Sequence, residues 1–346
     1  ITPLPPLPAL TATTPSSNPV CEGTPVSVTV AGLPSKVEVL FEYTIDGASF
    51  SLTDLTTLAG TYTFPEAVYD IGVHTFSLDV VTIAGCSTPL TVNNTTEFTV
   101  MTLDECAPKL AARVYFDNAY NTTNNLMNDG LRFYNKIPLS QPYSTITFTG
   151  TQSTAPYTGT ETTTTTVLGV TGANAIVDWV MIELRNAANR SIVEARRAAL
   201  LQRDGDIVDV DGVSPVKFVG LASGNYHVAI RHRLCLATRT QTALSFNLAV
   251  TTPLDLTNNS NALANSLAPV TIGPNTVYMM YVGDCDRNGF ILAPEINLIR
   301  GMLNTIPANI QYFTRNLDLT FDAFILTSDI TALRKNLNKI QVNLSQ

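Results

Sequence analysis

Short runs of alternating apolar and polar residues dominate the first third of the chain. Val26, Val28 and Val30 alternate with polar neighbours. Val37, Val39, Phe41 and Tyr43 keep the same period, broken only by Leu40, and His74, Phe76, Leu78 and Val80 repeat it. Period two puts one set of side chains on one face of a strand. Gly and Pro signals separate the runs every 8 to 12 residues or so, the spacing of an antiparallel sandwich. This reading gives a first β domain over residues 18–104. From 105 to 280 the runs lengthen and become more apolar. Leu110–Phe116, Ala175–Leu184, Ile192–Leu201 and Asn225–Leu234 read as strands of a larger β-sandwich or jelly roll. Residues 160–166 read as an edge strand or a loop, and the Asn-rich stretches 117–129 and 258–265 as loops. Beyond 281 the period becomes helical, through Ile296, Ile299 and Leu303 and again through Ile330, Leu333, Leu337 and Ile340. The expected fold is mainly β, with a small α-helical module at 281–346. Residues 1–17 are rich in Pro, Thr and Ser. Such a tail is extended and needs a surface to lie on, either its own first domain or a neighbouring molecule.

Composition narrows the classes. A chain of 346 residues is long enough for two or three domains. Lys+Arg 20 against Asp+Glu 28 gives a net charge of −8, which argues against nucleic acid and anionic membrane surfaces as partners. At 45% hydrophobic the chain can bury a core. No run approaches the ~20 apolar residues of a membrane span. The chain opens on Ile1 without a charged n-region and an apolar h-region. Thr and Asn are abundant and Lys is rare, as in secreted β proteins. The expected location is extracellular, at the cell surface, with a leader already removed. Cys21, Cys86, Cys106, Cys235 and Cys285 form no C-x-x-C, against a zinc or thioredoxin-type site. Five cysteines allow at most two bridges, and Cys21–Cys86 is expected to close one end of the first sandwich.

Catalytic signatures are missing from the sequence. It has no Gly-x-Ser-x-Gly, no His-Glu-x-x-His and no phosphate-cradling Gly loop, so no enzyme is expected. On the strand 226–234, alternation sets His227, Arg231 and Arg233 on one face and His232 with the apolar residues on the other; His232 reads as a core histidine. Asp204, Asp206, Asp209 and Asp211 read as a tight turn or as oxygen ligands of a cation. Arg190, Arg196, Arg197, Arg203, Arg231 and Arg233 read as a solvated, acid-paired sheet face, or as a basic strip for acidic glycans.

The strongest chemistry lies at 284–295. Counting from Asp284, carboxylates stand at positions 1 and 3 (Asp284, Asp286), an amide oxygen at 5 (Asn288), Gly289 at 6, the Phe290 carbonyl at 7 and Glu295 at 12. Alternate side chains at 1, 3 and 5 converge on one point, the glycine takes the bend, and a glutamate on the incoming helix can offer both oxygens. That is the EF-hand loop pattern for Ca2+. It returns without a gap 318 − 284 = 34 residues later, with Asp318, Thr320, Asp322, Phe324 and Asp329 in the same roles and Phe-Ile-Leu identical at 290–292 and 324–326. The second copy is weaker: Thr320 replaces a carboxylate, Ala323 replaces the glycine and Asp329 is shorter than glutamate. Non-glycine residues rarely take positive φ, so a remodelled turn is expected at Ala323.

Three stretches carry resemblances. The run Asn18–Val30, Thr61–Pro65 and Gly85–Pro89 resemble the Ig-like repeats of large secreted Bacteroidota surface proteins, which implies an Ig-like sandwich acting as a spacer. Residues 199–212 and 226–233 are similar to a hemagglutinin-like domain of such proteins. The paired loop–helix units at 284–346 resemble dockerin modules, which implies structural calcium and, in that family, cohesin partners. The expected function is a non-enzymatic extracellular structural or adhesion protein, a filament or stalk subunit, with self-assembly or other cell-surface proteins as partners. The alternative is a glycan-binding accessory module of a polysaccharide-degrading system.

Overall fold

The computed structural model describes residues 10–152, 154–310, 312 and 317–345. Most of the Pro-rich segment expected at 1–17 thus lies outside the described residues. The chain is mainly β and divides into two compact units, 1–106 and 107–346. The loop–helix tail belongs to the second unit.

The first unit pairs a three-stranded sheet with a six-stranded one. The three-stranded sheet runs Ala12–Pro15, Val28–Ala31, Thr61–Thr63, and the other is built on Thr95–Met101, Gly72–Ile83, Glu38–Ile45 and Ala48–Leu55. Val28 and Val30 of one sheet and Val39, Phe41, Phe76 and Leu78 of the other share one core. The alternation read from the sequence holds until Leu78. There the register slips: Glu42 faces Val80 but Tyr43 faces Leu78, which leaves Asp79 extra in its strand. A bulge inserts one residue and reverses the faces beyond it. Val81, not Val80, is therefore buried. His74 is an edge residue held through both ring nitrogens, by Asp46 at 2.7 Å and the Asp70 carbonyl at 2.7 Å.

The expected Cys21–Cys86 bridge is not the one formed. Cys21 is bonded to Cys106, and Cys86 is a free, exposed thiol. Val20–Cys21 runs parallel to the end of Thr95–Met101, pairing with Val100 and Met101. The chain's next turn then brings Cys106 back to Cys21, whereas Cys86 opens a strand paired to Ile83 in its own hairpin. The sequence spacing alone could not reveal that parallel pairing.

The second unit is organised on one nine-stranded sheet. Its order is Val216–Lys217, Lys109–Arg113, Asp206–Val208, Val193–Gln202, Ile176–Asn186, Gly224–His232, Cys235–Arg239, with Leu244–Phe246 and Thr251–Asp255 off this path. All residues of Ile176–Asn186 except the last are buried, including Trp179. A strand covered on both faces reads as a continuous apolar run, which is why it stood out in the sequence. It also carries Asp178 and Glu183, both 0% exposed. Five residues apart on a pleated strand, they point to opposite faces.

The cysteine assignment is checked by peptide mapping of native protein alkylated before digestion. A Cys21–Cys106 peptide pair and a labelled Cys86 are expected, with the buried Cys235 and Cys285 labelled only after unfolding. Replacing both bridged cysteines by serine should cost about 2–4 kcal/mol, since the bridge closes a loop of 85 residues.

Candidate metal centre

The two loops are related element by element. Positive φ occurs at Arg287 (63°) and Phe321 (58°), Gly289 (88°) and Ala323 (70°), and Asn304 (64°) and Asn338 (65°), each pair 34 residues apart. Ile291 faces Lys339, just after the second helix, and Ile325 faces Thr305, just after the first. Asn338 N reaches the Ile291 carbonyl at 2.8 Å, and Asn304 N the Ile325 carbonyl at 2.8 Å. Each loop thus closes on the segment that follows the other loop's helix. Ala323 is not accommodated by a remodelled turn. It takes the left-handed conformation of its glycine counterpart, at a cost of roughly 1–2 kcal/mol. The helices Ala293–Arg300 and Thr327–Lys335 are shorter than the apolar period implied, since Leu303, Leu337 and Ile340 lie beyond them.

In the first loop Asp284 is 0% exposed. Its Oδ1 accepts Asn288 N at 3.0 Å, and its Oδ2 accepts Gly289 N at 2.9 Å and the side-chain amide of Gln152. Asp286 accepts the Asn288 amide side chain at 2.8 Å, and Asn288 Oδ1 accepts Phe290 N at 2.8 Å. Glu295 stands at the third position of its helix, where Oε2 accepts Leu292 N at 2.9 Å, a capping contact. Its Oε1 is buried and accepts no hydrogen bond. Oxygens of Asp284, Asp286 and Glu295 lie within 4.8 Å of one another. Burial, then the Asp286 charge, push Asp284 up to about 7 and raise Glu295. Three carboxylates gathered around a point that protein donors do not fill are a hard-cation donor set. The Phe290 carbonyl stands between those of Gly289 and Ile291, which accept from Gln341 N and Asn338 N, each at 2.8 Å.

The second loop differs at position 12. Asp329 Oδ1 accepts Leu319 N at 2.7 Å and Thr320 N at 3.1 Å, and Oδ2 accepts Leu326 N at 2.8 Å. Thr320 Oγ1 lies 3.3 Å from oxygens of both Asp318 and Asp329. Asp322 Oδ1 accepts Phe324 N at 2.9 Å. Burial and the charges of Asp329 and Asp322 push Asp318 up to about 8. Among the described residues only the first loop gathers three acidic side chains this closely.

The tail is tied into the sheet unit by groups no motif announced. Thr149 N and Thr151 N donate to the carbonyls of Arg287 and Asn288, each at 2.9 Å. Gly150 (φ +53°) has no room for a Cβ beside the Asn288 carbonyl. Gly130 N donates to the Phe321 carbonyl at 2.9 Å. The buried Asp117 accepts Val282 N at 3.1 Å and Asn336 Nδ2 at 2.8 Å. These partners lie 130 or more residues from the loops they hold.

Other candidate residues fall elsewhere. His232 is a fully buried core histidine, as expected. Its Nε2 faces Asp178 at 3.1 Å, and its Nδ1 accepts Leu234 N at 3.2 Å beside Cys235 Sγ at 3.3 Å. Donation into Nδ1 fixes the neutral Nε2–H tautomer. Cys235, His232 and Asp178 resemble a catalytic series, but all three are 0% exposed and burial raises the thiol pKa. A nucleophile needs the thiolate and access. Arg233 leaves the expected face because the strand ends at His232. It turns to Asp178 at 2.7 Å and stacks 4.6 Å from the Tyr312 ring, whose hydroxyl also bonds Asp178. The acidic run is dispersed: Asp206 pairs with Arg113 and Asp209 with Arg197, each at 2.7 Å, and Asp211 caps its own turn through Ser214. The turn reading holds there. The face of His227 and Arg231 is buried (3% and 1% exposed) rather than solvated, because Glu183 sits among the arginines.

Protein-family models yield no match to this chain, and neither do curated proteins.

Acid should reveal the two buried carboxylates. Burial raises both, but Arg233 and His232 at Asp178, and Arg231 and Arg185 at Glu183, outweigh it and hold each at about 2. These folded-state values lie below those of an unfolded chain, near 4. Both groups therefore stabilise fully above about pH 5, and that stability is lost as pH falls through 4 toward 2. Chemical denaturation between pH 6 and 3 should show the second unit weakening. Glu183→Gln should flatten the profile while costing about 3–5 kcal/mol at neutral pH.

Proposed function

We propose that this chain is a non-enzymatic extracellular structural or adhesion protein of the cell surface, a filament or stalk subunit. Its dockerin-like C-terminal segment holds Ca2+ at 284–295 and thereby stabilises the second unit. The observation that carries the calcium reading is Glu295 Oε1, buried without a partner beside the oxygens of Asp284 and Asp286. A divalent cation supplies the charge those oxygens lack. An extracellular setting is supported by the Cys21–Cys106 bridge, since disulfides persist in oxidising compartments, and by the weak affinity of extracellular loops, about 10⁻⁴–10⁻³ M, which suits millimolar calcium. The second loop satisfies Asp329 through backbone N–H groups and contributes less to metal binding. Burial of the Cys235–His232–Asp178 series favours a structural role over catalysis.

The double variant Asp284→Ala, Glu295→Ala tests the metal role. At calcium about 100-fold above its Kd the ion adds about 2.7 kcal/mol. For a unit of this size that is roughly 5–10 °C in melting temperature. The variant should lose that increment in calcium and change little in chelator; an equal loss in both conditions would refute the role of the ion. Electron microscopy of native material decides the filament question, and monodisperse monomers in calcium at high concentration count against it.

A further inference from the structure

A cluster of arginines on one sheet face carries more positive charge than the chain neutralises. The register sets Glu183 opposite Arg196 on one side and Ala229 on the other, with Arg185 opposite His227. Glu183 accepts Arg185 at 2.5 Å, Arg231 at 3.1 Å and Arg196 at 3.2 Å. Arg185 Nη1 donates to the Arg190 carbonyl at 2.8 Å, and Arg190 Nε donates to His227 Nε2 at 3.2 Å. Arg239 Nη1 donates to the Thr240 carbonyl at 2.7 Å on the far side of the same imidazole. Desolvation, then the charges of Arg190 and Arg185, pull Arg239 down to about 10. The only other carboxylate beside this group among the described residues named here is the exposed Glu194. Five arginines against two carboxylates leave 5 − 2 = 3 positive charges, in a chain whose net charge is −8. Arg185, Arg231 and Arg239 are at most 4% exposed. Surplus charge at low dielectric is costly unless something compensates it.

The surplus opens on a cavity of about 450 Å³ lined by Arg185, Arg196, Glu194, Thr154, Ser191 and Ser345. A neighbouring cavity of about 350 Å³ shares Arg196 and Glu194 and adds Arg197, Lys217 and Tyr226. Arg196 is preorganised here. Besides Glu183 it donates through Nη1 to the Ala155 carbonyl at 3.0 Å and through Nη2 to Thr154 Oγ1 at 2.5 Å. Three of its five N–H groups fix the plane, leaving one hydrogen on each terminal nitrogen for a ligand. A planar fork so held matches a carboxylate or sulfate. The hydroxyls of Thr154, Ser191 and Ser345 suit sugar hydroxyls, and Tyr226 offers a face to sugar C–H groups.

We propose that this paired groove binds an acidic saccharide, with a carboxylate or sulfate seated against Arg196 and Arg185. The site is separate from the calcium loop and does not depend on it.

Calorimetric titration of the full chain in calcium tests the proposal with four probes. They are a sulfated glycosaminoglycan hexasaccharide, a hexagalacturonate, a neutral cellohexaose and hexaglutamate. Binding of either acidic sugar is expected, weakened at least tenfold by Arg196→Gln and by raised salt, with no binding of the neutral sugar. Ser191→Trp, which fills the cavity from an exposed hairpin, should abolish binding with the arginines intact. It keeps the test decisive if Arg196→Gln fails to fold. Failure of both acidic sugars to bind overturns the proposal. So does hexaglutamate binding as tightly as the sugars, or unchanged affinity in Ser191→Trp. The calcium-dependent melting shift, read on the same samples, reports on the metal loop separately.

Discussion

A carboxylate removed from water must find charge or donors, and the second unit is arranged around that requirement. Its central strand buries two acids on opposite faces. Asp178 draws in His232, Arg233 and Tyr312, and Glu183 draws in Arg185, Arg196 and Arg231. Breaking such a pair strands the remaining charge and costs about 3–5 kcal/mol. A misregistered sheet would do this on both faces at once, so the acids specify the register as well as occupying it. The same requirement extends to the tail. Tyr312 lies between the two loops yet reaches Asp178, and Phe321, inside the second loop, packs 5.6 Å from the His232 ring.

The duplicated tail is consequently built into the unit that it follows in sequence. Gln152 shows how. Its amide donates to both Asp284 and the Cys235 carbonyl, while its own carbonyl accepts Arg231 at 2.9 Å. One residue thus joins the first loop, the sheet backbone and the Glu183 cluster. Ile291, Ile299, Phe321, Ile325 and Leu333 of the tail share the hydrophobic core of the sheet. A cation that orders the loop also orders groups bonded to that core, so its effect should reach beyond the twelve residues that hold it.

Local pattern was legible in the sequence, and long-range pairing was not. The strands at 176–186, 193–202 and 224–232 follow from apolar runs, and the loop ligands follow from fixed spacing, because both depend on neighbours in the chain. The Cys21 partner was misread because it depends on a parallel pairing of two short segments. Gln152, Asp117 and Asn336 carry no motif, and each matters only because the fold delivers it. Val80 was misplaced for a smaller reason: one bulged residue reverses a face. The buried arginine face was read as solvated because alternation tells which side chains share a face, not what covers it.

The contrast between the two loops reduces to one methylene and one hydroxyl. Glutamate at position 12 caps its helix with one oxygen and still extends the other into the loop, where it meets the oxygens of Asp284 and Asp286. Aspartate is too short for both tasks. At 329 it caps the helix with Oδ2 and turns Oδ1 onto the backbone of Leu319 and Thr320. Thr320 then bridges Asp318 and Asp329 through a hydroxyl where the first loop has a third carboxylate. The second loop therefore meets much of its electrostatic need with its own N–H groups, and the first leaves that need to an ion. A repeat can keep its backbone, down to three left-handed residues at matching positions, and still divide labour between a metal-dependent half and a self-bonded half.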